Sequence, residues 1–332
     1  MGPAEQAGPV AAAAEVRVWR GRLLKALPVA ALALVPFVAG KTFWYHIAIL
    51  VTLNAVFVAS LGIVNRVGQL SMCHGAFAGV GAYAAVLAVM RAGLPFLAGL
   101  AAATAAAGIL ALVLGVIILR LRGVYFVLVT FAFGELVRLV LLDFPSITGG
   151  ANGIAGVPSP SLFGVSLASH RAMYLFTLVV LAAMMAFTSA LVASPIGRAF
   201  ESIADNMTLA QGSGIGARRY QVVAFTMGSA VAGGAGAILA FYVGYISPES
   251  FAFSLSLNII IMLVVSGRSS IIGAVLGAMF LTPLPELLRG TLALQHILYG
   301  IALVLVLRFL PDGIGGIADR LWSRAVGTGG RD

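Results

Sequence analysis

The chain alternates long apolar runs with short polar breaks. After a first run at Leu27–Gly40, apolar stretches fall at about 43–64, 69–90, 95–119, 123–142, 172–193, 222–246, 253–267, 271–288 and 296–310. A helix needs about 20 apolar residues to cross a bilayer, and it leaves no backbone group unpaired in lipid. The pattern therefore predicts an all-α polytopic membrane protein with about ten transmembrane helices, within a range of roughly 8–12. The runs at 253–267 and 296–310 are short, so tilting, breakage or extension by flanking polar residues is expected there.

Two polar interruptions are long. Residues 143–171, DFPSITGGANGIAGVPSPSLFGVSLASHR, contain Gly-Gly, Asn-Gly and Pro signals that demand turns. They read either as a compact loop at the mouth of a pathway or as a passive connector. Residues 194–221, SPIGRAFESIADNMTLAQGSGIGARRYQ, carry Arg198, Glu201, Asp205, Arg218 and Arg219. A short helix is expected there from about Ile196 to Ala204, then a turn near Leu209–Gln211 broken by Gly212, Gly214 and Gly216. So long a polar loop between spans implies that something binds it.

Composition narrows the class. The chain is 61% hydrophobic and 9% charged, with a mean hydropathy of +1.07. Soluble domains are roughly 45–50% apolar and about 25% charged, so a water-soluble globule is excluded. The net charge of +9 does not indicate nucleic acid, because basic residues sit at the ends of apolar runs. With the amino terminus inside, the cytoplasmic ends collect Arg17, Arg20, Arg22, Lys25, Arg66, Arg120, Arg122, Arg198, Arg218, Arg219 and Arg268. Arg308, Arg320, Arg324 and Arg331 join them, whereas the outer loops keep Lys41, Arg91, Arg171 and Arg289. This orientation puts both termini and the 194–221 loop in the cytoplasm and the 143–171 loop outside.

The expected organisation is a disordered cytoplasmic segment at 1–22, a membrane domain at 23–311 and a cytoplasmic tail at 312–332. The basic cluster before Leu27 also suits a secretory signal, with Val38-Ala39-Gly40 resembling a cleavage site. A long basic region and the membrane character of every later segment favour an uncleaved first span.

Candidate chemistry is sparse. Cys73 is the single cysteine, and His46, His74, His170 and His296 show no ligand spacing. Gln69, Ser71 and His74 bring polar groups to one span as candidate pathway-lining residues; interhelical hydrogen bonding is the alternative. Gly75 and Gly79 in the same span allow close helix approach, as do Gly228, Ala232, Gly236, Ala240 and Gly244 at every fourth position. Glu135 and Arg138 stand at i, i+3 inside a span, either as a structural ion pair or as functional groups. No G-x-x-x-x-G-K-[ST] phosphate loop occurs. Energy must come from a gradient or another chain.

Several phrases then identify a family. They are Gly68-Gln69-Leu70-Ser71 with His74-Gly75-Ala76-Phe77, Arg122-Gly123-Val124-Tyr125-Phe126 and Phe133-Gly134-Glu135-Leu136-Val137-Arg138. Thr148-Gly149-Gly150-Ala151-Asn152-Gly153, Ser194-Pro195-Ile196-Gly197-Arg198-Ala199 and Gly244-Tyr245-Ile246-Ser247-Pro248-Glu249 complete the set. From about Asn54 to Gly315 the chain resembles the permease subunits of branched-chain amino acid ABC transporters, of the LivM type. The resemblance implies a bacterial inner-membrane permease, no enzyme itself, importing branched-chain or other hydrophobic amino acids. Within the family, urea, short amides and aromatic acids are alternative substrates. Implied partners are the lipid bilayer, a second, LivH-like permease, two cytoplasmic ATPases that use ATP and Mg, and an external binding protein. No cofactor is implied for this chain. Such importers couple through an Ala-x-x-x-Gly loop, which Ala210 and Gly214 match, with Arg198, Glu201, Asp205, Arg218 and Arg219 around them. A proton- or sodium-driven secondary transporter is the rival reading.

Overall fold

The computed structural model describes residues 41–267 and 271–287, together with 300, 304, 308 and 313. The expected first span at Leu27–Gly40 and the segment 1–22 lie outside the described residues; the run at 296–310 and the tail at 312–332 lie largely outside them.

Helices account for the described spans. They are α1 (Thr42–Asn65), α2 (His74–Met90), α3 (Phe96–Ile118), α4 (Val124–Asp143), α6 (His170–Ala193), α9 (Ala217–Val243), α10 (Phe253–Ser266) and α11 (Ile271–Leu281). Short helices α5 (Pro145–Thr148), α7 (Pro195–Asp205), α8 (Met207–Gly212) and α12 (Pro283–Leu287) lie between or after them. Six described helical stretches are long and apolar enough to cross a membrane, and two shorter apolar ones stand at His74–Met90 and Ile272–Leu287. The 3-10 turn Pro248–Phe251 brings the α10 span to 19 residues, which is how the short run at 253–267 gains its length.

The fold is built around α1 and α9. The apolar window of α1 is 83% buried, as expected of a helix apolar on every side. Its hydroxyls bond within the helix: Thr52 donates to the Ile49 carbonyl and Ser60 to the Phe57 carbonyl, both at 2.7 Å. Helix α9 packs most heavily against α3, α2 and α1. A Cβ on Gly228 would lie 2.6 Å from the Ser60 carbonyl oxygen, and one on Gly236 would run into the Ala78 backbone. Ala232 and Ala240 on the same face are buried. A second face, which the four-residue repeat does not include, works equally hard. Gly233 meets Gly81 backbone to backbone and leaves no room for a Cβ against Ala107. Helix association in lipid rests on such close packing of small residues.

Two sequence expectations need correction. The run at 69–90 becomes helix only from His74, and residues 69–73 are not helical. Gly68 turns the chain at φ +74°, after which side chains take over the backbone partners: Met72 N–H donates to Thr130 Oγ1 at 3.1 Å. Gly244 is not part of the packed stripe. It ends α9 at φ +74° and its N–H caps the Ala240 carbonyl, the usual role of glycine after a helix.

The 143–171 interruption carries α5, a 3-10 turn and two-residue strands β1 (Ile154–Ala155), β2 (Ser161–Leu162) and β3 (Val165–Ser166). β2 pairs with β3, and β1 pairs antiparallel with β4 (Tyr245–Ile246), just beyond α9. Tyr245 donates to the Asn152 carbonyl at 3.1 Å, and Val157 N–H donates to the Gly244 carbonyl. The loop is thereby fastened to the α9–α10 connection. The small ladders are a minor addition to a helical architecture.

Candidate functional site

Two stretches of non-α-helical backbone converge on α4. Residues 69–73 reach it through Met72 and Thr130; residues 244–252 reach it through Glu249, whose carboxylate lies 3.5 Å from an Arg138 guanidinium nitrogen. Thr130 and Arg138 are eight residues apart, about 12 Å along the helix. The start of α2 is also held by this junction, since Gly75 N–H donates to Ser256 Oγ at 2.8 Å. A Cβ on Gly75 would sit 3.2 Å from the carbonyl oxygens of Phe251 and Ala252, and one on Gly79 would sit 2.9 Å from Phe251 Cβ. These two glycines seat the 251–252 backbone and the Phe251 ring. Irregular backbone at membrane depth is tolerated only when protein buries it or it lines a wet cavity. A void of ≈ 10 Å³ lies here, lined by Met72, Ala76, Phe131, Gly134, Glu135, Phe251, Phe253 and Ser256. That is room for about one water. The junction is closed.

Gln69, Ser71 and His74 are all buried, and none is among the residues that line this void. Ser71 Oγ lies 3.2 Å from Cys73 Sγ and accepts from the Cys73 N–H. Both ring nitrogens of His74 lack a hydrogen-bond partner among the described residues.

Glu135 and Arg138 meet, with Arg138 Nε donating to Glu135 Oε2 at 2.8 Å. Their side chains are 31% and 27% exposed, and Glu249 is 79% exposed. On α4 only Phe126, Thr130 and Val137 are buried; the apolar window of this helix is just 17% buried. An ion pair just past the middle of a 20-residue span cannot rest against lipid tails without a large cost. This side of α4 must therefore meet protein or water. Sequence reasoning missed Glu249 and the hydroxyls of Thr130 and Ser256. The first lies 111 residues from its partner and carries no local signal.

The 194–221 stretch folds as two capped helices. Ser194 Oγ accepts from Gly197 N–H and Pro195 opens α7; Asn206 Oδ1 accepts from Leu209 N–H and opens α8. Gly197 is obligatory, since a Cβ there would strike the Leu191 carbonyl. Ile203, Ala210 and Ala217 form a small core with Met207, Ile215 and Tyr220 around it. Ala210, at 4% exposure, uses its small size inside the loop, against the core it forms with Ile203 and Ala217. Leu209, beside it, is 69% exposed. Gly214 turns at φ +84° with nothing within 4 Å of an added Cβ.

The loop is tied to the ends of the spans. Glu201 pairs with Arg66 at 3.2 Å, and a Cβ on Gly68 would lie 3.6 Å from Ala204 Cα. Burial lowers the Arg66 pKa from its ordinary value, and the Glu201 carboxylate opposes that shift. Arg218 donates to the Val116 carbonyl at 2.6 Å. Arg198 donates to the Ala193 carbonyl, while Asp205 and Arg219 are exposed. These contacts bring the carboxyl ends of α1 and α3 and the amino end of α9 to one side, which also carries Arg120 and Arg122.

Comparison with known proteins matches these features to one family. The profile described as "Branched-chain amino acid transport system / permease component" matches residues 45–307. The high-affinity branched-chain amino acid transport system permease protein LivM of Escherichia coli K12 is 34% identical over 280 residues, covering 76% of this chain and 65% of that protein. The corresponding LivH of the same strain is 28% identical over 190 residues, covering 54% and 60%. The autoinducer 2 import system permease protein LsrC of Escherichia coli O9:H4 is 32% identical over 176 residues, covering 48% and 49%. The chain thus spans about 65% of the length of its LivM relative. No solved structure matches it.

Proposed function

The chain belongs to the family of branched-chain amino acid transport permease components, and we propose that it is the membrane-spanning subunit of an ATP-driven importer for branched-chain or other hydrophobic amino acids. In this reading it works beside a second permease subunit in a bacterial inner membrane, an external binding protein delivers substrate, and two cytoplasmic ATPases use ATP and Mg. The chain itself performs no chemistry.

One observation carries the pathway assignment: the Glu135–Arg138 pair is part-exposed beyond the midpoint of α4. A surface of that kind suits the interface with the second permease and the route between them. The closed junction of 69–73 with 244–252 lies against the same helix, and discontinuous helices of this type mark binding sites in transporters. The 194–221 loop, with exposed Leu209 and the Gly214 turn, is the surface offered to the ATPases. Arg198, Glu201, Asp205, Arg218 and Arg219 set its charge.

The test is uptake of radiolabelled leucine by proteoliposomes holding this chain, its partner permease and the ATPases, with binding protein outside. Accumulation should require enclosed ATP and Mg. Accumulation by the chain alone on a proton or sodium gradient would instead make it a secondary transporter.

A further inference from the structure

A groove of ≈ 700 Å³ opens between the end of α3 and the start of α9, lined among others by Val116, Gln211, Ile215, Gly216, Arg218 and Arg219. That volume lies within the range of about 300–1,000 Å³ typical of small-molecule sites. No carboxylate is among its lining residues. Arg218 is fixed over it by the Val116 carbonyl, which takes one guanidinium nitrogen at 2.6 Å and leaves the rest of the donor fork to a ligand. Arg219 lines the same groove and is exposed, without an ion pair among the described residues.

An exposed apolar stripe of α3 adjoins the groove. Ile109, Leu112, Val113, Val116 and Ile117 are all exposed large apolar residues of α3. Their i, i+3, i+4, i+7, i+8 spacing places them on one face of the helix. Val116 belongs both to this stripe and to the groove, so the apolar track begins in the groove that Arg218 and Arg219 line. Cation above, apolar track below and an opening at the end of a span is the arrangement a phospholipid fits. A soluble subunit cannot follow the track down the flank of α3, whereas an acyl chain can.

We infer that this groove is a binding site for an anionic phospholipid, its phosphate held by Arg218 and Arg219 and an acyl chain laid along the exposed α3 stripe. Basic pockets between spans are known to hold acidic headgroups, and each arginine near such a surface is worth about fivefold in affinity. This inference is independent of the substrate and of the energy source.

The experiment places a tryptophan in the groove as Val222→Trp and uses the purified full chain in nanodiscs, alone and with its ATPases. Quenching is read against the parent protein with brominated phosphatidylglycerol and brominated phosphatidylcholine. The expected result is stronger quenching by phosphatidylglycerol at equal mole fraction, with no competition from inorganic phosphate. Arg218→Gln with Arg219→Gln should erase the preference, a loss of about twentyfold in relative affinity. Lysine at both positions should retain most of it, which separates charge from misfolding. Equal quenching by the two lipids overturns the inference. So does phosphate competition, which would make the groove a free-anion site, or quenching that vanishes when ATPases bind, which would make it part of their interface.

Discussion

Close packing of α9 against α2 can be tested by a single methyl group. A Cβ placed on Gly236 would lie 2.7 Å from the Ala78 carbonyl carbon and 2.8 Å from its Cα, with the carbonyl oxygen closer still. Backbone atoms cannot rotate away, so the two helices must part by about 1 Å to restore ordinary contact. Overpacking by a methylene costs about 1–3 kcal/mol in a well-packed core. The upper half of that range applies here, because the obstruction is main chain on both sides. Two other glycines calibrate the effect. A Cβ on Gly234 would meet a single methyl group, Thr104 Cγ2, at 2.9 Å, on a side chain whose hydroxyl bonds the Leu100 and Ala101 carbonyls, and one on Gly212 would meet nothing within 4 Å. Gly236→Ala should therefore lower the melting temperature most, by about 4–12 °C at about 2–4 °C per kcal/mol. Gly234→Ala should fall between, and Gly212→Ala should match the parent. Fluorescence-detected size exclusion after stepwise heating reads all three on one scale. Gly236→Ala as stable as Gly212→Ala would refute the packing argument.

Replacing Arg138 by Gln leaves Glu135 and Glu249 facing each other without their shared cation. Stability and uptake should both fall, whereas Glu135→Gln, which keeps one carboxylate for Arg138, should be milder in the same heating assay. In a Cys73→Ser background, cysteine at position 218 should resist an impermeant external thiol reagent and cysteine at position 159, exposed in the 143–171 loop, should react; labelling of position 218 in intact cells would reverse the proposed orientation. Gly214→Asp adds a side chain at φ +84° and an unpaired charge on the proposed docking surface, a cost of a few kcal/mol on binding. Insertion should be normal while ATPase co-purification and uptake are lost, and a variant that keeps its ATPases would remove the loop from the coupling route.

Long apolar runs were legible because spanning lipid requires little beyond length and hydropathy. Boundaries set by tertiary contacts were not. Leu70, Met72 and Cys73 are as apolar as any helical stretch; they leave the helix because Thr130 and Ser256, far off in sequence, complete the hydrogen bonding around the start of α2. Gly244 satisfied two rules at once, a small residue in register and a glycine closing a helix, and the structure chose the second. Ala210 stands in the loop where the spacing put it, but its burial could not be read, since Ile203, Ala210 and Ala217 build a core that only appears once α7, α8 and α9 turn upon one another. The Glu135–Arg138 contact lay within one helix and could be read from the i, i+3 spacing; Glu249 could not.

The loop and the closed junction are connected by the chain itself. Arg66 and Gly68, at the head of the non-helical segment, touch Glu201 and Ala204 of α7. Its far end is fixed by Met72 to Thr130 and, one helical residue on, by Gly75 to Ser256. The segment between these ends is short and non-helical, and Ser71 Oγ, accepting from the Cys73 N–H, ties it to the start of α2. A displacement of α7 has a route along these contacts to α4 and α10. Under the proposed reading this explains why the polar loop folds as helices with a core of its own. A docking element that merely caught a partner could be a flexible arm. One that must move the 69–73 segment has to be stiff at the point where Glu201 and Ala204 hold it.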